Sequence, residues 1–359
     1  MTAPTIAFFT RLLDDTTPAL RYAHALEQIQ QAERHGVGRA WVAQHHFRAA
    51  EGGLPAPLVF LAHAAAHTAR IRLATGIITL PLEDPVRVAE DAAVADLLSG
   101  GRIDLGLGSG GTPSSFPPFG QDVADKAAVY ERKLAVLLDA LRGEDIGAGN
   151  TLYPDTADLA ARVWQATFSA FGGGRAGAHE HGLLLSRTQP RGALDPYTPL
   201  AGVQDPIIDA YLDALPDGAT PRITASRTVF VADDRADALR FAEVGLRRGA
   251  ASLRRTGQVF PDDSLEALIA LTDTHLGTPE EVVESLAADR TLERATEVAF
   301  QVHSVDAPHE HLLRSIELFA REVAPALGYT TEAGLAEAGR AEAGRAEAGL
   351  AEAQKKEDS

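Results

Sequence analysis

The 359-residue chain contains no cysteine. That excludes disulfides, thiolate metal sites and a cysteine nucleophile, and it agrees with a cytoplasmic location, which we expect. No apolar run approaches the roughly 20 residues needed to cross a bilayer, so no membrane association is expected. The N-terminal stretch MTAPTIAFFTRLLDD lacks the basic-then-apolar layout of a signal peptide. Basic residues are the scarcer sign: 33 Lys and Arg stand against 50 Asp and Glu, for a formal net charge of −17. A nucleic-acid binder carries a basic footprint, so nucleic acid is not an expected partner. What remains is a 45% hydrophobic chain, long enough for one large barrel or two ordinary domains.

From residue 5 to about 330, short apolar runs alternate with amphipathic helical runs. Strands are expected at Thr5–Leu12, Arg39–Phe47, Arg72–Leu80, Arg102–Gly110, Val163–Ser169, Ile223–Val231 and Ala299–His303, with a poorly marked one near Thr274–Leu276. Helices are expected between them. Asp84 is a candidate N-cap ahead of Pro85, and Thr278-Pro279-Glu280-Glu281 reads as a capping box. A helix is expected from about residue 174. Strand–helix units at about forty-residue spacing imply parallel pairing, and seven or eight of them favour a TIM-like (β/α)8 barrel with insertions over a doubly wound open sheet. The insertions are expected at 143–160 and roughly 250–275, where the polar stretch Arg254–Ser264 reads as a lid. The expected organisation is a barrel domain over 1–330 and a tail over 331–359. The tail repeats AEAG with period five, which holds no single helix face, so it is expected to stay solvated.

The most informative segment is RAWVAQHHF, Arg39–Phe47, a strand delivering two adjacent histidines at its C-terminal end, where barrel enzymes do their chemistry. Strand alternation predicts that only one of His45 and His46 enters a shared cavity. Gly106–Gly111 matches G-x-G-x-x-G, but Pro113, Pro117 and Pro118 follow where a dinucleotide site needs a helix. The glycines read better as a strand that lets a planar ligand approach. Phe171–Arg175 (FGGGR) places glycines at a helix start beside a guanidinium, which is either a phosphate cradle or a flexible connection. His63 and His67 have metal-ligand spacing without the glutamate of H-E-x-x-H, so a helix surface is expected and no metal site. His179 and His181 are expected on different sides, His309 and His311 in solvent, and His303 either lining the site or packed.

Four stretches, Ala32–Phe47, Arg72–Asp91, Leu97–Gly110 and Val302–Pro325, with Leu276–Leu286 as a weaker fifth, resemble in order and spacing the bacterial luciferase-like flavin-dependent monooxygenase superfamily. The resemblance implies a barrel binding reduced FMN at its C-terminal face. It implies that His45 is the catalytic histidine beside the flavin ring, with Gln44 where luciferases carry glutamate. Gly76-Ile77 falls where the family has a non-proline cis peptide under the ring. Thr75 is expected at the flavin edge, and Gly108 among the cofactor-binding glycines of the strand that a planar ligand approaches. Ser109 stands where luciferases use an arginine near the phosphate, and Ser169, Gly172, Gly173, Gly174 and Arg175 fall where the phosphate loop is expected.

The activity so implied is that of an FMN-dependent monooxygenase. Reduced FMN reacts with O2 to a C4a-hydroperoxide, which oxygenates a small organic substrate. Lacking a credible nicotinamide fingerprint, the chain is expected to receive reduced flavin from a separate flavin reductase, and to form a homodimer. A coenzyme F420-dependent oxidoreductase on the same fold and a non-catalytic flavin-binding barrel are the alternatives. The same resemblance turns His46 toward the surrounding helices.

Overall fold

A computed structural model describes residues 3–331 apart from 192–194, 256–258 and 304. The repeating tail lies outside the described residues, as does part of the expected lid. In chain order the strands are β1 (Thr5–Thr10), β2 (Arg39–Val42), β3 (Arg72–Thr75), β4 (Ile78–Thr79), β5 (Ile103–Gly108), β6 (Val163–Ala166), β7 (Gly182–Leu185), β8 (Ile223–Val231), β9 (Thr274–Gly277) and β10 (Glu297–Gln301). The main helices are α1 (Pro18–Arg34), α2 (Pro57–Ala65), α3 (Pro85–Ser99), α4 (Lys126–Leu141), α5 (Ala170–Ala178), α6 (Leu200–Ala214), α7 (Arg235–Arg255), α8 (Leu265–Leu271), α9 (Pro279–Ala287) and α10 (His309–Leu318). Their starts follow the expected chemistry. Asp84 Oδ1 accepts from the backbone N–H of Val86 and Arg87, and the Thr278/Glu281 capping box is formed.

All strand pairs are parallel, in the order β10-β1-β2-β3-β5-β6-β7-β8, and β8 returns to β10 to close an eight-stranded barrel. The nine-residue β8 forks. Thr224–Thr228 pair with β10, while Thr228–Val231 pair with β9. The Thr274 strand is thus an extra strand at the barrel rim. The sixth strand of the ring is β7, which the sequence reading passed over. Its signal was weak because the turn ending α5 places Glu180, not glycine, in the left-handed region (φ 56°). The same reversal stacks His179 and His181 at 5.2 Å between ring centroids, contrary to the expectation that they diverge.

The barrel floor is filled from the N-terminal strand ends. Trp41 and Trp164 meet edge to face at 5.4 Å, and the Arg39 guanidinium lies 5.3 and 5.0 Å from their ring centroids. Arg39 pairs with Glu297 and donates to Asp104 at 2.9 Å, while Arg72 donates to Asp104 at 2.7 Å. Glu297 also accepts from Trp41 Nε1 and Thr224 Oγ1, both at 2.9 Å. Burial opposes ionisation of Asp104, but Arg39 and Arg72 outweigh it and hold the carboxyl below its ordinary range. Removing one partner from such a buried network leaves an uncompensated charge. Glu297→Gln should cost about 3–5 kcal/mol, read by urea denaturation; a loss under about 1 kcal/mol would contradict this account of the floor.

Helices α5 and α6 pack backbone to backbone. A Cβ at Gly173 would run into Ile207 O, and one at Gly177 into Tyr211 O. Gly177→Ala should therefore destabilise the protein by about 1–3 kcal/mol through overpacking. Gly249→Ala in α7, where a Cβ meets open space, should instead gain about 0.5–1 kcal/mol from helix propensity. Chemical denaturation of the two variants checks both signs.

Candidate active site

The C-terminal strand ends open into a cavity of about 1020 Å³. Its lower wall is apolar, with Phe9, Trp41, Ile77, Ala166 and Leu184, and one side is polar, with Arg11, His45, His46 and Arg187. The upper wall includes Gly245, Leu246, Gly249, Ala251 and Leu253 of α7, together with Val259. Of the stretch expected as a lid, Arg254–Ser264, Val259 is the described residue on the cavity wall; the rest of this wall is the C-terminal half of α7.

Strand β2 stops at Val42, so alternation no longer governs the two histidines. Ala43 N–H still donates to Thr10 O at 3.0 Å, but His45 N–H donates to Leu54 O at 2.9 Å, outside the sheet. Both imidazoles consequently line the cavity, which corrects the expectation that His46 turns toward the helices. His46 packs edge-on to Phe119 at 4.8 Å. Burial, then the neighbouring charges of Arg11, His46 and Arg187, push the His45 pKa well below its ordinary value, so its imidazole is neutral at pH 7. Arg11 Nη2 lies 3.4 Å from His45 Nε2. A guanidinium only donates, so this contact makes Nε2 the acceptor and places the proton on Nδ1. His45 Nδ1 is buried without a partner.

Gln44 does not face His45. Its Oε1 accepts from Thr79 N–H at 2.7 Å, and its Nε2 donates to Glu83 Oε1 at 2.6 Å and Pro55 O at 3.1 Å. It clamps the point where the third strand breaks. There the Gly76-Ile77 peptide is cis, and both residues line the cavity. Thr75, expected at the flavin edge, instead repairs this break. Its Oγ1 donates to Gly106 O at 2.8 Å and accepts from Gly106 N–H at 2.9 Å, and the residue is fully buried behind the wall.

Other expected contacts also move. Gly108 is backed against the Ile77 side chain, and neither it nor Ser109 is on the cavity wall; Gly110 and Gly111 are. The expected phosphate loop is a helix-packing surface. Ser169 Oγ caps α5 by accepting from Gly172 N–H at 3.2 Å. A Cβ on Gly172 would strike Thr167, and Gly173 and Gly174 face α6. Arg175 pairs with Glu131, donates to Gln165 Oε1 at 2.6 Å and lies over the Tyr130 ring. From this segment only Ala166 and Phe168 reach the cavity.

The sequence reading missed Arg11, at the end of β1, and Arg187, just beyond β7. It also missed Lys126, whose ammonium donates to Gly110 O at 3.1 Å. Arg11 carried a usable signal as a cation directly after an apolar strand; Arg187 was hidden with the overlooked strand. His303 lines a second cavity of about 260 Å³ with Asp14, His24 and His309. His24 and His309 stack at 3.8 Å, so His309 is not the solvated residue expected. Asp14, His24 and His309 bring ligand-type atoms within 4.8 Å of one another. His63 and His67 are exposed on the surface at the end of α2.

Among the described residues no helix is long and apolar enough to cross a membrane. Residues 4–297 match the luciferase-like monooxygenase family. The 4-hydroxyprotoasukamycin monooxygenase of Streptomyces nodosus subsp. asukaensis is 31% identical over 333 residues, 86% of this chain and 87% of that protein. Two solved structures share the fold. One is the monooxygenase RslO1 from Streptomyces bottropensis, with a TM-score of 0.75 and 24% identity over 89% of this chain and 99% of that one. The other is the oxygenating constituent of 3,6-diketocamphane monooxygenase from Pseudomonas putida in complex with FMN, with a TM-score of 0.69 and 18% identity over 90% and 98%. Barrel, family match and near full-length relative agree: the chain belongs to the luciferase-like monooxygenase family and is an oxidoreductase that incorporates molecular oxygen.

Proposed function

We propose that the chain is the oxygenase of a two-component system, binding reduced FMN from a separate flavin reductase and placing one oxygen atom of O2 on a small organic substrate. The observation that carries this reading is the juxtaposition of an apolar floor with a neutral, part-buried His45 at the mouth of one large cavity. Trp41, Ile77, Ala166 and Leu184 suit a planar ring, and Lys126 with the Gly110–Gly111 backbone suits a terminal phosphate. The residues fit a polar planar group, since His45, His46, Arg11 and Lys126 line the wall beside the apolar floor. Bound FMN would supply the oxygen chemistry. The wall of α7 keeps water from the ring, and His45 holds a donatable proton at Nδ1 while Arg11 occupies Nε2. A cytoplasmic homodimer completes the proposal.

If the charge around His45 is as described, nitrogen-detected NMR should show its imidazole titrating well below the ordinary value near 6.5. Arg11→Met removes a like charge and should move that titration upward, while burial keeps it below the ordinary value near 6.5. A wild-type titration at 6.5 would refute this assignment.

His45→Ala should lower substrate oxygenation about 10²–10⁴-fold while reduced FMN still binds. Anaerobic titration with reduced FMN and with F420, followed by aerobic turnover against a substrate panel, is the decisive experiment. Tight F420 binding without affinity for reduced FMN would replace this proposal by hydride transfer. Oxygenation left intact in His45→Ala would remove the histidine's role.

A further inference from the structure

The protein as a whole is strongly acidic, yet its main cavity is lined by six basic side chains and, among the described residues, one carboxylate. Three of those cations have carboxylates of their own. Arg48 lies 3.7 Å from Glu51, Arg191 pairs with Asp273 at 2.7 Å, and Arg248 pairs with Asp306. Lys126 sits at the Gly110 loop, on the side assigned above to a phosphate. Arg11 and Arg187 remain. Arg11 donates to Glu51 O and approaches His45, and its Nε is buried without a partner. Arg187 donates to Thr228 Oγ1 at 2.9 Å, and no described carboxylate is paired with it. Two guanidiniums rooted on strands that are not neighbours in the barrel thus meet beside the same histidine.

A buried cation without a counterion is costly, and two that repel each other are more so. Burial, partly offset by Glu51, lowers the Arg11 pKa to about 10. Burial and then the Arg11 charge lower that of Arg187 to about 9. Both remain cations at pH 7; Glu51, shared with Arg48, offsets only part of the Arg11 charge and Arg187 has no described carboxylate partner, so the cluster keeps an unfilled demand for negative charge. A planar guanidinium matches a carboxylate through two parallel N–H···O bonds.

We propose that Arg11 and Arg187 form an anion subsite beside His45, and that the substrate is an organic carboxylate oriented by these two arginines. This rests on the monooxygenase reading above and adds to it a substrate class. The neutral His45 is then the group nearest the fixed end of the substrate, and the apolar floor and α7 receive the rest of it.

The test compares octanoate with its uncharged isostere octanamide by isothermal titration at pH 7.5, alongside a separate FMN titration followed by flavin fluorescence. Wild type should bind octanoate at least about ten-fold more tightly than octanamide. Arg187→Met, and independently Arg11→Met, should weaken octanoate about ten- to a hundred-fold and leave octanamide unchanged, and Arg187→Met should leave FMN affinity within about two-fold. Arg187→Lys should recover part of the loss, and circular dichroism confirms that each variant is folded. Equal binding of octanoate and octanamide would overturn the proposal. So would variants that lose FMN affinity while octanoate binding persists, because the arginines would then serve the flavin. Failure of wild type to bind FMN would count against the flavin reading alone, since the octanoate arm reports on the subsite without flavin.

Discussion

The geometry of this molecule rests on the ionic and aromatic plug at the barrel floor. Glu297 is on β10, Arg39 and Trp41 on β2, Asp104 on β5, Trp164 on β6 and Thr224 on β8. A single network therefore ties together strands from all round the ring. Most barrels fill this space with branched aliphatic side chains. Here alanines at positions 7, 74 and 299 leave room for two indoles and a guanidinium, and the charge buried with them is neutralised by two carboxylates. The indoles also form part of the surface on which a ring would rest, since Trp41 belongs both to the floor cluster and to the cavity wall. Stability at the bottom and shape at the top are in this way properties of the same residues.

Above the floor the chain uses interruption rather than regularity. The third strand breaks at Gly76, and Thr75 and Gln44 replace the lost backbone hydrogen bonds with side-chain ones. The second strand ends early, which brings two adjacent imidazoles onto one wall. The side chains beside each break supply the replacement hydrogen bonds, and four of the buried polar atoms without partners, on Arg11, His45, His46 and Glu51, belong to residues of the cavity.

The repeating βα pattern and the caps at Asp84 and Thr278 were legible from local signals, because turn chemistry and hydrophobic period act over a few residues, whereas the special place of Gly76-Ile77 came from the family resemblance alone. What escaped were features in which one residue type serves two purposes. Glycines let a phosphate approach a backbone and equally let two helices touch. At Gly173 and Gly177 the four-residue spacing puts both on one face, which is the mark of helix contact. Likewise Glu180 performs a turn normally marked by glycine, and so concealed β7 and with it Arg187. The two arginines meet only after the barrel closes, and nothing in their separation along the chain reveals it.

Strand β8 can be read as a ruler. Thr224, near its lower end, holds the floor carboxylate, and Thr228, four residues on, holds Arg187. At about 3.3 Å per residue those two hydroxyls stand about 13 Å apart along the strand. The strand is stiffened on both flanks, by β10 below and β9 above. The α7–α8 segment forming the upper wall is inserted only after the ruler has ended. Evolution can thus lengthen, shorten or re-line that roof for new substrates while the depth at which the charge sits stays fixed.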